Sequence, residues 1–308
     1  MKKLLIITQK VDRSDSNLGF FHRWLEEFAK HADVVVIASF AGERVLPANV
    51  RVTSLGKERG VGRVGRIVNY WKLFWMHSRD ADAIFFHMIP EFVVAAVPIL
   101  FFRKCRASLW YVHGSVPVWL RIAEKFVDVI FSVNPTSFRL PSKKIMYTGH
   151  AIDTEFFKPD HTPSDILRIM TAGRPSPVKN IGLILDAVAE LRLTKKIAFS
   201  NITHTPYREM PAVYHAHDMF LSMSATGSVD KAVLEAMACG LTVITANEAF
   251  RDILPAKYFL ASRNPKMLAE RIAQLADDPR PNLELRDIVV KNHSLPNTIQ
   301  KIASRLLS

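Results

Sequence analysis

The sequence predicts an α/β protein of two consecutive doubly wound domains, each built on a parallel sheet, facing across a ligand cleft. Three observations predict it. The chain has 308 residues, which fits two halves of about 150 residues each. Short β-branched or aromatic runs alternate with longer amphipathic stretches, the pattern of strands joined by crossover helices. That pattern restarts after the turn-rich segment KPDHTPSD, Lys158–Asp165, so the domains are expected to span 1–157 and 158–308.

In the first half KLLIIT, ADVVVIAS, DAIFFHM, SLWYVHG and DVIFSVN read as strands. Between the first two lies FFHRWLEEFAKHA, where Phe21, Trp24 and Phe28 recur at helical spacing. In the second half LRIMTAG, KIAFSNI, MFLSMS and TVITAN read as strands, and ILDAVAEL, SVDKAVLEAMA and PKMLAERIAQLA as helices. The last stretch, NTIQKIASRLL, is amphipathic and suits packing on either domain. Two successive domains of this kind place a ligand outside the carboxyl ends of their strands.

Composition narrows the classes. Hydrophobic residues make up 49% and charged residues 23%, enough to bury real cores. Cys105 and Cys239 form neither a disulfide framework nor a metal spacing, so a cytoplasmic location is expected. MKKLLIITQ is too short in its apolar part for a signal-peptide core. Phe92–Phe102, the most membrane-like run, is about half the length a bilayer span needs.

The net charge is +12 and is unevenly placed. Residues 1–150 carry 22 Lys and Arg against 12 Asp and Glu, and the remainder carry 19 against 17. A basic half implies an anionic partner, whether acidic lipid headgroups, a phosphorylated acceptor or nucleic acid. No nucleic-acid module accompanies the charge, so nucleic acid is not expected as a partner. The stretch Lys57–Arg79 interleaves Arg63, Arg66 and Lys72 with Tyr70, Trp71, Phe74 and Trp75. It reads as an amphipathic helix that is either core-facing with a solvated cationic face or an interfacial, acceptor-side wall.

Two segments carry the chemistry. AGRPSPVKN, Ala172–Asn180, joins a strand to a helix; Gly173 permits the tight turn, and Arg174 and Lys179 project where backbone amides favour anions. Two cations there suit a diphosphate. TGSVDKAVLEAMACG, Thr226–Gly240, ends another strand in small residues and opens a helix whose N-terminal amides attract anions. Glu235 in that helix can accept two hydrogen bonds from a ribose diol.

Together, GRPSPVKN and VLEAMACG resemble the retaining, GT-B fold glycosyltransferases of family 4 (glycosyl transferases group 1), whose two domains are Rossmann-like. TGHAIDTEFF, Thr148–Phe157, looks like that family's interdomain segment. SNLGFFHRWLEEFAK, Ser16–Lys30, resembles its glycine loop, and YVHG, Tyr111–Gly114, its histidine segment. The resemblance implies that Arg174 and Lys179 bind the donor diphosphate and stabilise the leaving nucleotide, that Glu235 holds the ribose, and that His113 sits beside the transferred sugar. It implies close approach of Gly19 to the phosphates and donor contacts from Ser228, Val229, Asp230 and Lys231. His87, with Arg63 and Arg66, falls on the acceptor side.

The family often has a glutamate eight residues before the equivalent of Glu235, and here that residue is Gly227. Asp230 is a candidate substitute carboxylate and Lys231 a candidate addition to the phosphate site. Asp80-Ala81-Asp82 matches a DxD metal motif but precedes a strand, where aspartates serve as caps, so no metal and no cofactor are expected. The implied partners are a nucleotide sugar, a glycan or lipid-linked acceptor and an anionic membrane surface, in bacterial glycan or envelope assembly. Other functions compete: another enzyme on the same fold, such as a nucleotide-sugar epimerase or an inverting transferase, and a non-catalytic nucleotide-sugar-binding partner. A dinucleotide oxidoreductase is disfavoured, because no G-x-G-x-x-G follows either first strand.

Overall fold

The apolar run that opens the chain is strand β1 (Lys3–Val11), and it lies in the interior of a parallel sheet. The computed structural model describes residues 1–160, 162, 164–173, 176–193 and 195–308. The chain divides into two units. One is Met1–Ala151 with Pro206–Arg208 and Leu295–Ser308, and the other is Ile152–Thr205 with Glu209–Ser294. The division after Ala151 precedes the 157/158 boundary expected from the turn-rich segment.

Among the described residues the first unit holds seven parallel strands: β1, β2 (Asp33–Ala41), β3 (Val50–Ser54), β4 (Ala83–His87), β5 (Arg106–Trp110), β6 (Val129–Ser132) and β7 (Ile145–Tyr147). Their order is β3-β2-β1-β4-β5-β6-β7, so the winding reverses between β1 and β4. There Leu4 pairs with Ala83 and Ile7 with Phe86. Helices α2 (Arg63–His77), α3 (Pro90–Leu100) and α4 (Val118–Phe126) pack on one face, where Leu5, Ile7, Tyr70, Phe74, Phe86, Val93, Ala96 and Leu120 form a common buried cluster. On the other face, α1 (Phe20–Phe28) packs its Phe28 ring against Phe85, 5.3 Å between centroids. The C-terminal helix belongs to this unit, because Thr298 donates to the Thr148 carbonyl at 3.2 Å and Arg106 to the Arg305 carbonyl at 2.8 Å.

Strands β3 and β7 are absent from the sequence reading for one reason. Both are sheet edges, and several of their residues stay partly exposed, so neither makes a continuous apolar run.

The second unit's described residues form four parallel strands: β8 (Leu167–Ala172), β9 (Ile197–Ile202), β10 (Met219–Ser222) and β11 (Thr242–Thr245), in the order β11-β10-β8-β9. Helices α5 (Ile181–Leu191), α6 (Met210–His215), α7 (Lys231–Ala238), α8 (Pro265–Leu275) and α9 (Leu283–His293) surround that sheet; α5 packs on α8 and α7 on α9, and α10 (Leu295–Leu307) is the terminal helix of the first unit. The chain passes from β8 to β9 on one side and then crosses to β10 on the other. The winding therefore reverses between β8 and β10, and a ligand crevice is expected beyond their carboxyl ends.

Candidate active site

The two motif segments of the second unit converge at that reversal. Gly173 leaves the carboxyl end of β8, with Ser176–Asn180 following in the chain, and the Met223–Asp230 segment leaves that of β10. Three contacts join them: the Ala225 amide donates to the Val178 carbonyl at 2.9 Å, Asn180 Nδ2 to the Met223 carbonyl at 2.8 Å, and Lys179 Nζ to Asp230 Oδ2 at 3.3 Å. Lys179 also lies across Gly173, where an added Cβ would come within 3.2 Å of its Cε. Arg174, the other expected phosphate ligand, lies outside the described residues.

Residues that the sequence reading did not single out hold this segment in place. Arg263 donates to the carbonyls of Met223, Ser224 and Ala246, at 3.2, 2.8 and 2.9 Å. Asn247 Nδ2 donates to the Ser228 carbonyl at 2.9 Å. Both are remote in sequence from the motifs and act on backbone carbonyls, so no residue pattern announces them. Asn180 adopts a left-handed φ of 50°, a conformation that asparagine tolerates better than most residues. That signal was available in the sequence.

Glu235 is 6% exposed, and the Tyr214 hydroxyl donates to its Oε2 at 3.0 Å. Burial pushes its carboxyl up, against the opposing charge of Lys231 one helical turn away and the Tyr214 hydrogen bond. Burial pushes the Lys231 ammonium down, because its Nζ is enclosed. The two opposite charges thus lie one turn apart on α7, inside the unit. Val229 is buried, while Ser228 and Asp230 are partly exposed at the start of α7. Gly227 has a left-handed φ of 66°, where a glutamate would be strained.

In the first unit Gly19 opens α1 beyond the carboxyl end of β1. A Cβ there would meet the Asp15 carbonyl at 2.5 Å, so only glycine fits this approach. The Asp15 carboxylate fixes the loop by accepting the amides of Asn17 and Leu18 at 2.9 and 2.7 Å and pairing with Lys10. His87 ends β4 and is 2% exposed; its Nδ1 lies 3.1 Å from Thr8 Oγ1, and its ring stacks on Phe21 at 4.2 Å. His113 is exposed beyond β5. The Ser115 amide donates to its Nδ1 at 3.0 Å, so the neutral ring carries its proton on Nε2, a donor free of that turn. Arg63 and Arg66 line a 480 Å³ groove with Lys57, Tyr70, Ile89 and Phe92.

Asp82 of the DxD match accepts the Lys3 backbone amide at 2.7 Å, a capping role at the start of β1. Among the described residues, no cluster of three or more His, Cys, Asp or Glu is placed to hold a metal. No helix among them is long and apolar enough to cross a membrane.

The two parallel-sheet α/β domains match glycosyltransferase structures of the GT-B fold. Residues 167–278 match the family model described as glycosyl transferases group 1, and they include both joined segments and Glu235. Among solved structures, Anabaena HepE in complex with UDP and glucose is similar at a TM-score of 0.74 and 16% identity, over 100% of each chain. Sucrose-phosphate synthase from Thermosynechococcus elongatus is similar at a TM-score of 0.76 and 11% identity, over 99% of this chain and 98% of that one. An E. coli trehalose-6-phosphate protein bound with UDP-2-fluoro glucose gives a TM-score of 0.69 and 11% identity, over 99% of each. A sequence comparison with curated proteins finds no match.

Proposed function

We propose that this protein is a retaining hexosyltransferase that moves a sugar from a nucleoside diphosphate donor to an acceptor hydroxyl, without a metal. Its role would be bacterial glycan or envelope assembly, at the cytoplasmic face of a membrane. The observation that carries the reading is the joining of Val178, Lys179 and Asn180 to Met223, Ala225 and Asp230 at the β8/β10 reversal, within the region matching glycosyl transferases group 1.

In this reading Lys179, with Arg174, meets the β-phosphate of the donor, and the Ser228 and Val229 amides add donors as negative charge builds. Glu235 holds the ribose. The bond from the anomeric carbon to the phosphate oxygen breaks as the acceptor oxygen attacks the same face. The acceptor's proton passes to the departing phosphate, so no protein nucleophile is needed. His113 offers its Nε2 proton to a hydroxyl of the sugar, and the groove of Arg63 and Arg66 faces the acceptor.

A second reading, a nucleotide-sugar-binding partner without turnover, draws on Gly227. Its left-handed φ of 66° stands where the family often has a donor-contacting glutamate.

Thermal stability against a panel of nucleoside diphosphates and nucleotide sugars, without metal, tests the donor site. A ligand held at about a hundred times its Kd stabilises the folded state by about 2.7 kcal/mol. The expected result is a shift with one nucleobase that Lys179→Ala and Glu235→Ala abolish. No shift with any nucleotide in a well-folded sample would overturn the donor site, and a shift without sugar transfer would favour the second reading.

A further inference from the structure

Helix α2 carries two apolar stripes, and the fold buries one of them. Tyr70 and Phe74 are buried against the sheet, whereas Val64, Val68, Trp71 and Trp75, at i, i+4, i+7 and i+11, run along an adjacent exposed side, where the Trp71 indole N–H donates to the Ala95 carbonyl of α3 at 2.8 Å. Val64 is 76% exposed and each tryptophan 47%. The stripe continues where α3 ends, at Phe101 and Phe102, each 73% exposed. Arg103 connects the two helices by lying over the Trp75 ring at 4.5 Å and donating to Ser78 Oγ at 2.8 Å. Phe101 in turn meets Phe126 of α4, with ring centroids 5.9 Å apart. An exposed apolar surface of this kind, rimmed by charge, marks an interaction site.

The charge around it selects the partner. No acidic residue occurs from Arg59 to Arg79 or from Phe92 to Ala123, while Arg63, Arg66, Lys72, Arg79, Arg103, Lys104 and Arg106 all fall within those spans. Beside the stripe, Arg79, Arg103, Lys104, Ser78 and Phe102 line a 520 Å³ hollow with Asp82, whose carboxylate already accepts the Lys3 amide. Exposed tryptophan and phenylalanine next to a hollow of cations suit the boundary between acyl chains and anionic headgroups.

We propose that the outer face of α2, with Phe101 and Phe102, docks on an anionic phospholipid bilayer, seating a phosphate headgroup in the hollow of Arg79, Arg103 and Lys104. The helix lies in the plane of the interface, with Trp71 and Trp75 at headgroup depth. This rests on the peripheral placement proposed above and names the surface and lipid class that produce it.

The test is flotation of the full chain with vesicles of phosphatidylcholine alone and of phosphatidylcholine mixed with phosphatidylglycerol, following tryptophan emission. Binding and a blue shift with the anionic vesicles only, weakened by salt, are expected. Arg79→Glu with Lys104→Glu should weaken that binding by roughly 25-fold or more, about fivefold for each cation lost. Val68→Glu with Phe102→Glu should abolish it at sites too exposed to threaten folding. In both variants the nucleotide-dependent thermal shift should persist, which separates this inference from failure of the donor site. Equal binding to neutral vesicles, no binding, or unchanged binding by either variant would overturn it. So would a dimer dispersed by Val68→Glu, which would assign the face to a second copy of the chain.

Discussion

Lys179 Nζ and Asp230 Oδ2 are 3.3 Å apart, although 51 residues separate them in sequence. The pair is partly exposed, with 21% and 16% of the side-chain surfaces accessible, so solvent screens it and either partner can be drawn to a ligand. The two substitutions should therefore differ in their effect on nucleoside diphosphate binding. Lys179→Ala should weaken it by roughly 1.5–3 kcal/mol, the worth of a hydrogen bond to a charged group. Asp230→Asn should leave it equal or tighter, because Lys179 no longer has to leave a carboxylate. If Asp230 contacts the sugar, Asp230→Asn should also slow transfer. Calorimetric titration with the diphosphate, set beside transfer rates, checks both. Equal donor-dependent turnover by Asp230→Ala would remove the carboxylate from the reaction.

Glu235 and Lys231 should show their coupling through pH. In Lys231→Met the carboxyl of Glu235 stays buried without its cation, and burial raises its folded pKa still further above the unfolded value. A raised carboxyl binds its proton more tightly in the folded state, so stability is retained in acid and lost as pH rises through the folded value. Between about pH 5 and 7 the variant should lose about 1.4 kcal/mol per pH unit in urea denaturation. Adding Glu235→Gln should remove that slope. A single variant with flat stability over the range would show that Glu235 is not confined as described.

Much of this arrangement was legible because it is local. β8, β10 and α7 are short runs with strong periodicity, and the small residues between them mark backbone that must turn beside a helix start. Arg263 and Asn247 were not legible, since they recognise carbonyls and any residue can supply a carbonyl. Helix α9 was equally obscure. Leu285, Val289 and His293 are its buried residues, too sparse a stripe to stand out from its charged neighbours. The unit to which α10 belongs depends on Thr298 meeting Thr148 across 150 residues, which amphipathicity alone cannot select.

Chelation should leave transfer unchanged. Lys179 supplies a cation where the diphosphate would lie, and Asp82 is committed to the Lys3 amide. Rates measured with excess chelator, and again with magnesium or manganese restored, check this. A rate that collapses on chelation and returns with one metal would replace the cationic side chains by an ion in the mechanism.

The Gly19 loop should be sensitive to acid through Asp15. Burial alone would raise this carboxyl, but the Lys10 hydrogen bond and the Leu18 and Asn17 amides outweigh it and hold it below the usual carboxylate range. A lowered carboxyl stabilises the fold above its unfolded pKa of about 3.9, and that contribution disappears as pH falls through the lower folded value. Protection of the Asn17 and Leu18 amides in hydrogen exchange should therefore persist at pH 5 and fall away in stronger acid. Asp15→Ala should lack the protection at both. Gly19→Ala should disturb the same loop by a different route, costing about 1–3 kcal/mol because its methyl meets the Asp15 carbonyl, which a side-chain rotation cannot relieve. Nucleoside diphosphate binding should weaken in both variants if the loop approaches the phosphates. Loss of amide protection with unaltered binding would confine the loop to a structural role.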